Sequence, residues 1–115
     1  MTSIGIYLQA AFEIVVGVNF IFSPEKLQDG YMPQPGYETH AFENLGISFI
    51  FWGLLLLFNS RNKSVIALNV FWNIIWVALL GSQIIGKPWR PQSEISSADH
   101  FTPPTLAHAI FAVFS

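Results

Sequence analysis

The sequence predicts an all-α protein, an integral membrane four-helix bundle with three full spans and a short or truncated fourth helix. The first observation is composition: of 115 residues, 52% are hydrophobic and only 10% are charged, whereas a soluble domain has roughly a quarter charged residues. The second is a set of apolar runs long enough to cross a bilayer, which takes about 20 residues in a helix. At this length we expect a single domain.

Composition and charge also exclude several classes of protein. The formal net charge of −2 comes with no basic patch, so nucleic-acid binding has no support. The chain has no cysteine, which removes disulfides, thiol catalysis and thiolate metal sites. The N-terminus has no basic stretch and carries Glu13 within its apolar run. We therefore interpret it as a retained first span and not as a signal peptide.

The first predicted span covers residues 4–22, with Glu13 as its one charged residue near the middle. Gln9, Glu13 and Gly17 follow one another at intervals of four residues. Such a stripe should face other helices, because a carboxyl group in contact with lipid is costly. The dipeptide Ser23-Pro24 ends this helix.

The connections indicate how the spans are arranged. The loop 23–37 is rich in glycine, proline and tyrosine, and is either a lid over a pocket or a surface connection anchored at the bilayer interface. The second span, 38–59, and the third, 64–85, are joined by a polar turn with Arg61 and Lys63. This basic turn favours a cytosolic location for its side of the membrane, together with both termini.

The last helix is predicted at 103–115, with Thr102 as the N-cap and Pro103 at the first helical position. At about 1.5 Å per residue it measures roughly 20 Å, short of a bilayer core of about 30 Å. It either spans part of the membrane or belongs to a longer natural chain.

Two stripes of polar and aromatic residues mark the second and third spans. His40, Glu43 and Asn44 are spaced i, i+3 and i+4, so they share one face of a helix. Polar groups at membrane depth indicate a functional site by default. One side of the third span carries Asn69, Trp72, Asn73 and Trp76.

We expect carboxyl and imidazole groups from separate helices to meet in one chamber under the long loop. Helix rise places Glu43 and His108 roughly 7–8 Å from the same membrane face and Glu13 roughly 13 Å from it. Helix bundles build their sites from inward-facing residues on several helices. The alternative for each group is hydration at the interface or hydrogen bonding that only holds helices together.

The leading functional hypothesis is a membrane-embedded acid–base enzyme, an isomerase or cyclase, acting on a lipophilic small molecule. A buried carboxyl group can donate a proton near neutral pH, and a neighbouring histidine or carboxylate can accept one. The predicted catalytic residues are Glu13 and Glu43 as donor and acceptor in either order, with His40 and His108 as tuning or relay groups. The predicted substrate-binding residues are Asn44, Asn73, Trp72, Trp76, Phe12 and Phe49, with Phe42 and Phe111 completing the aromatic lining.

Metal and cofactor signals are weak. His40 and Glu43 form one H-x-x-E pair, but di-iron sites in bundles use repeated E-x-x-H units. We therefore expect no metal and no cofactor. The expected partners are the lipid bilayer and the lipophilic substrate, with a second copy of the chain or a membrane oxidase as candidate protein partners.

Three segments resemble the DoxX-like group of small four-helix membrane proteins. They are 17–27 (GVNFIFSPEKL), 44–57 (NLGISFIFWGLLLL) and 86–88 (GKP). The resemblance implies a four-helix bundle, and it adds a second hypothesis, because members are similar to quinone-reactive or accessory subunits of redox enzymes. In that case the chain is a non-catalytic subunit of a membrane oxidoreductase.

The first span also resembles that of small multidrug resistance transporters, which carry one glutamate midway along it, as Glu13 stands here. This resemblance implies a proton-coupled exporter as a third hypothesis. The long proline-rich loop and the short last helix depart from that family, whose loops are tight and whose spans are full.

Overall fold

The computed structural model describes residues 3–26, 35–85 and 98–114 and contains four α-helices. They are α1 (Ser3–Phe22), α2 (Tyr37–Phe58), α3 (Lys63–Ile85) and α4 (Ala98–Phe114), with a 3₁₀ turn at Pro24–Lys26. The described residues contain no β-strand. The predicted all-α class with four helices is therefore confirmed.

Three of the helices are long and apolar enough to cross a membrane. The apolar stretches are Ile4–Phe22, Glu38–Phe58 and Lys63–Ser82, with mean hydropathy of 1.7, 1.8 and 1.9. These stretches agree closely with the predicted spans, because their lengths follow from long runs of mostly apolar sequence. The fourth helix is shorter, with an apolar part at Pro103–Phe114.

The fourth helix begins earlier than predicted. It starts at Ala98 and continues through Pro103 and Pro104, so Thr102 lies within the helix and does not precede it. A proline removes its own N–H donor from the helix and keeps its carbonyl as an acceptor, so a helix can continue past it at a cost in free energy. His108 consequently lies about 15 Å along α4 from its first residue, about twice the predicted distance from the start of the helix.

Local chemistry explains where α2 and α3 begin. Gly36 precedes α2 with φ of 92°, a left-handed conformation that glycine adopts without a steric penalty. The Oδ1 atom of Asn62 accepts hydrogen bonds from the backbone N–H groups of Ser64 and Val65 at 3.0 and 3.2 Å. Asn62 therefore caps the first turn of α3, where backbone donors have no partner within the helix. The predicted lid lies mostly at 27–34, outside the described residues.

The chain divides into two compact units. The first, here called the α1–α2 pair, contains α1 from Ile6 onward, the 3₁₀ turn and α2. The second, the α3–α4 pair, contains α3 packed against α4.

Glycine contacts bring the helices of the α1–α2 pair close together. A Cβ atom added at Gly53 would lie 2.8 Å from the carbonyl oxygen of Ala10, and Gly17 and Gly46 make a similarly close approach. Ala10 and Gly17 are seven residues apart on α1, as are Gly46 and Gly53 on α2. A spacing of seven residues returns to the same helix face after two turns. Small residues at these positions let the two backbones approach closely.

The described residues have polar groups inside and large apolar groups outside. Glu13 has an exposed fraction of 0%, whereas the exposed fractions of Phe58 and Phe22 are 80% and 76%. Soluble proteins bury charged side chains only rarely, so this distribution agrees with helices that face lipid. The buried polar side chains are Gln9, Glu13, Asn69, Asn73, Ser82 and His108.

Candidate functional site

The α3–α4 pair contains a buried hydrogen bond between Asn73 and His108. The Nδ1 atom of His108 lies 2.8 Å from the Oδ1 atom of Asn73. Asn73 is fully buried, and His108 has an exposed fraction of only 3%. A hydrogen bond in such an interior is stronger than in water because the local dielectric is low. Two predicted site residues on different helices are thus brought together.

A second hydrogen bond fixes the orientation of the Asn73 amide. Its Nδ2 atom donates to the carbonyl oxygen of Asn69, one helical turn earlier, at 3.0 Å. The amide nitrogen therefore points along α3, and the amide oxygen points at His108. An amide oxygen accepts and cannot donate, so the Nδ1 atom of His108 must carry the hydrogen. In the neutral ring, this leaves the lone pair on Nε2.

Aromatic rings fix the plane of the imidazole. Trp76 stacks on His108 with ring centroids 5.7 Å apart and an interplanar angle of 15°. Phe111 meets the same imidazole edge-on, at 6.3 Å and 82°. Trp72 in turn packs edge-on against Trp76 at 5.9 Å. The imidazole is therefore held by a hydrogen bond at one nitrogen and by rings at its face and edge.

The α1–α2 pair contains a separate buried polar pair on α1. The side-chain amide nitrogen of Gln9 donates to an Oε1 atom of Glu13 at 3.3 Å, and both residues have an exposed fraction of 0%. Gly17, the third member of the predicted stripe, is also buried. The stripe therefore faces the protein interior, as its spacing predicts.

The polar stripe of α2 has a different environment. The side chains of His40, Glu43 and Asn44 are exposed, as is Ser48, whose hydroxyl donates to the backbone carbonyl of Asn44 at 2.9 Å. Glu43 borders a partly open cleft of about 170 Å³ between the end of α1 and the start of α2. The catalytic roles predicted for these residues stay predictions.

Two of the predicted aromatic residues of the α1–α2 pair, Phe42 and Phe49, pack against Phe20, which lines this cleft. Phe49 has an exposed fraction of 4% and packs against Phe20 with ring centroids 5.7 Å apart. Phe20 also packs against Phe42 at 5.6 Å. Phe12 is half-buried.

The sequence predicts that Glu13 and His108 meet in one chamber. This stays a prediction, because the two residues belong to different compact units. The site residues predicted from the sequence did not include Asn69, which orients Asn73, or Gln9, which donates to Glu13. Both omitted residues stand four positions before their partners. That spacing places side chains on the same helix face and could have identified them.

Among the described residues, no group of three or more histidine, cysteine, aspartate or glutamate side chains is placed to hold a metal ion. No known protein family, curated protein or solved structure matches the chain.

Proposed function

We propose that the chain is an integral, multi-pass membrane enzyme that moves a proton on a lipophilic small molecule, as an isomerase or cyclase does. The observation that carries this proposal is the 2.8 Å hydrogen bond between His108 Nδ1 and Asn73 Oδ1 in a buried site. Histidine is the side chain whose ordinary chemistry suits proton transfer near neutral pH.

In the proposed reaction, the Nε2 atom of His108 removes a proton from a carbon atom of the substrate that a neighbouring carbonyl or alkene makes acidic. The same nitrogen returns the proton to another carbon of that molecule, so the reaction needs no oxidant or reductant. Asn73 holds the imidazole in the Nδ1–H tautomer and accepts a hydrogen bond from the imidazolium that forms, as an orienting group does in catalytic triads.

The aromatic neighbours support a lipophilic substrate. Trp76 and Phe111 provide apolar ring surface beside the imidazole, and Trp72 extends that surface through its contact with Trp76. Ligand sites in proteins are usually lined by apolar and aromatic side chains with a small number of polar groups that fix orientation. A substrate of this kind can enter the helices directly from the bilayer.

The membrane assignment is supported by three helices of sufficient length and hydropathy and by large exposed apolar side chains. In water these side chains would form large apolar patches, which soluble monomers rarely expose. In a bilayer, the same side chains would contact lipid.

Turnover by the purified protein tests the proposal. The protein in lipid nanodiscs is incubated in D₂O with lipophilic metabolites extracted from its source cells, and products are followed by mass spectrometry. We expect wild-type protein to produce compounds that gain deuterium or change retention time at constant composition. His108→Gln should lower this rate by a factor of about 10² or more, the usual contribution of an acid–base group.

Asn73→Leu is a second test variant, and Asn19→Leu is its matched control. Each removes an amide that donates to the carbonyl four residues earlier, at 3.0 Å for Asn73 and 2.9 Å for Asn19, but only Asn73 orients His108. Activity should fall with Asn73→Leu and persist with Asn19→Leu. Equal turnover by wild type and His108→Gln would refute the proposal. Co-purification with a larger oxidoreductase, without turnover by the isolated chain, would favour the accessory subunit.

A proton-coupled exporter is the second candidate, and the buried position of Glu13 midway along α1 favours it. Such an exporter releases a proton from its carboxyl group when a cationic drug binds. Tetraphenylphosphonium added to the detergent-solubilised protein should then release protons into a weakly buffered solution. Glu13→Gln should abolish that release, and no release from wild type would exclude this mechanism.

A further inference from the structure

The cleft at the junction of α1 and α2 combines apolar side chains with polar groups, one of which is charged. Its lining includes Phe20, Phe42 and Pro24, with Thr39 and Glu43 as the polar members. Among the described residues of that lining, Glu43 is the only one with a charged side chain. The described lining of the cleft therefore carries a negative charge, and about half of its exposed surface is apolar.

The walls of the cleft are held in place by the packing of the α1–α2 pair. Phe20 is fixed between Phe42 and Phe49, with ring centroids 5.6 and 5.7 Å away. A Cβ added at Gly46 would lie 3.2 Å from the Cβ of Phe20, so α2 supports Phe20 directly. Pro24 is buried. The cleft is consequently preformed, which lowers the entropy cost of binding.

Its size sets the size of the ligand. The volume of about 170 Å³ compares with about 150 Å³ for an engineered apolar cavity that binds benzene. The cleft can therefore hold an apolar group of about one ring, with its polar end beside Glu43.

We propose that this cleft binds a small organic ammonium ion that carries an apolar group about the size of a benzene ring. The carboxylate of Glu43 would accept a charge-assisted hydrogen bond from the ammonium group. The aromatic faces of Phe20 and Phe42 attract cations through their quadrupoles. This inference does not depend on the proposed enzyme activity, because its residues lie in the α1–α2 pair and its readout is binding.

The probe is 2-(4-fluorophenyl)ethylammonium, added to the protein in a nonionic detergent and followed by ¹⁹F NMR line broadening. Its neutral counterpart, 2-(4-fluorophenyl)ethanol, reports partition into the micelle and binding by the ring alone. We expect saturable binding of the amine that exceeds binding of the alcohol about fivefold, the size of an exposed ion pair.

Two variants and one control separate the contributions. Glu43→Gln keeps the shape of the side chain and should weaken amine binding about fivefold without changing alcohol binding. Phe42→Leu keeps an apolar wall but removes a π face, and should weaken amine binding about threefold. Glu38→Gln is the control, because Glu38 lies five residues earlier on α2 and does not line the cleft; it should bind as wild type does.

Equal binding of amine and alcohol, or unchanged amine binding by Glu43→Gln, would overturn the proposal. Displacement of the amine by glycerophosphocholine would also overturn it, since the occupant would then be a lipid headgroup. Folding of each variant is checked by helical circular dichroism, so that a lower affinity is assigned to the site.

Discussion

Gly17 and Gly46 bring the backbones of α1 and α2 into direct contact: a Cβ atom on either glycine would lie 2.6 Å from the carbonyl oxygen of the other. Real Cβ atoms do not approach oxygen so closely, so a methyl group at either position must push the helices apart. The relationship is reciprocal, which means that neither helix can relieve the clash by moving one side chain.

We expect Gly46→Ala to destabilise the protein by about 1–3 kcal/mol, the usual cost of overpacking a tight interior. The measurement is unfolding in mixed detergent micelles, followed by circular dichroism. Gly81→Ala is the matched control, because no neighbouring atom of the described residues lies within 4 Å of a Cβ at Gly81. There the alanine should stabilise α3 by about 0.5–1 kcal/mol. Equal effects of the two substitutions would contradict the close packing.

The tautomer of His108 gives a test that is independent of any substrate. ¹⁵N NMR of the imidazole should show hydrogen on Nδ1 and not on Nε2 in wild type, because Asn73 offers only an oxygen. Asn73→Leu removes that acceptor and should shift the ring toward the Nε2–H form, with a loss of about 1–3 kcal/mol in stability. Asn19→Leu should leave the tautomer unchanged. An Nε2–H ring in wild type would show that the amide orientation is wrong.

Substitutions at Glu13 should separate the effect of side-chain shape on stability from the effect of side-chain charge. Glu13→Gln preserves the volume and keeps an oxygen that can accept the hydrogen bond from Gln9, so stability should change by only about 1 kcal/mol. Glu13→Lys places an ammonium group at a fully buried position and should prevent folding or cost several kcal/mol.

The control for Glu13→Lys is Glu25→Lys, on the half-buried 3₁₀ turn, which should be tolerated. The measurements are the yield of folded protein from membranes and the midpoint of unfolding. Similar yields of Glu13→Lys and Glu25→Lys would show that Glu13 is not enclosed by protein.

The stacked pair of Trp76 and His108 predicts a pH-dependent fluorescence. An excited indole is quenched by a protonated imidazole in contact with it, so emission should fall as the pH is lowered and His108 gains a proton. The pH-dependent part should disappear in both Trp76→Phe and His108→Gln. Trp52→Phe should keep it, because Trp52 is on α2. A quenching curve unchanged by His108→Gln would be inconsistent with the stacked geometry.

The crossing of the membrane by α2 is tested by cysteine labelling. The chain has no cysteine, so single substitutions give a clean background. Pro35→Cys and Arg61→Cys lie just outside the two ends of α2, and both positions are exposed. A membrane-impermeant maleimide should label them from opposite sides, with Arg61→Cys on the cytosolic side. Labelling of both from one side would exclude α2 as a span.

The lengths of the three apolar helices could be predicted because they depend on composition alone. The stripe of α3 was also predictable, since Asn69 and Asn73 are buried as their four-residue spacing on an apolar helix requires. The α2 stripe shows the limit of this reasoning. The spacing places His40 and Glu43 on a common face of α2, but it does not determine which face of α2 packs against another helix.

On α2 that choice is made by other residues. The buried face consists of Gly46, Phe49, Gly53 and Leu56, whose heptad spacing fits against α1. To predict the close approach of two glycines, one must know how both helices are placed, and the sequence alone does not provide this. The same applies to Asn73 and His108, which are 35 residues apart.

The two prolines of α4 have a consequence for where this helix meets water. Pro103 and Pro104 have no N–H to offer the carbonyl oxygens of Asp99 and His100, which an ordinary helix would satisfy. Hydrocarbon supplies no donor in their place, whereas hydrated headgroups do. In a bilayer, the first turn of α4 would therefore lie in the headgroup layer, and the prolines would mark the depth at which that helix passes from hydrated to apolar surroundings.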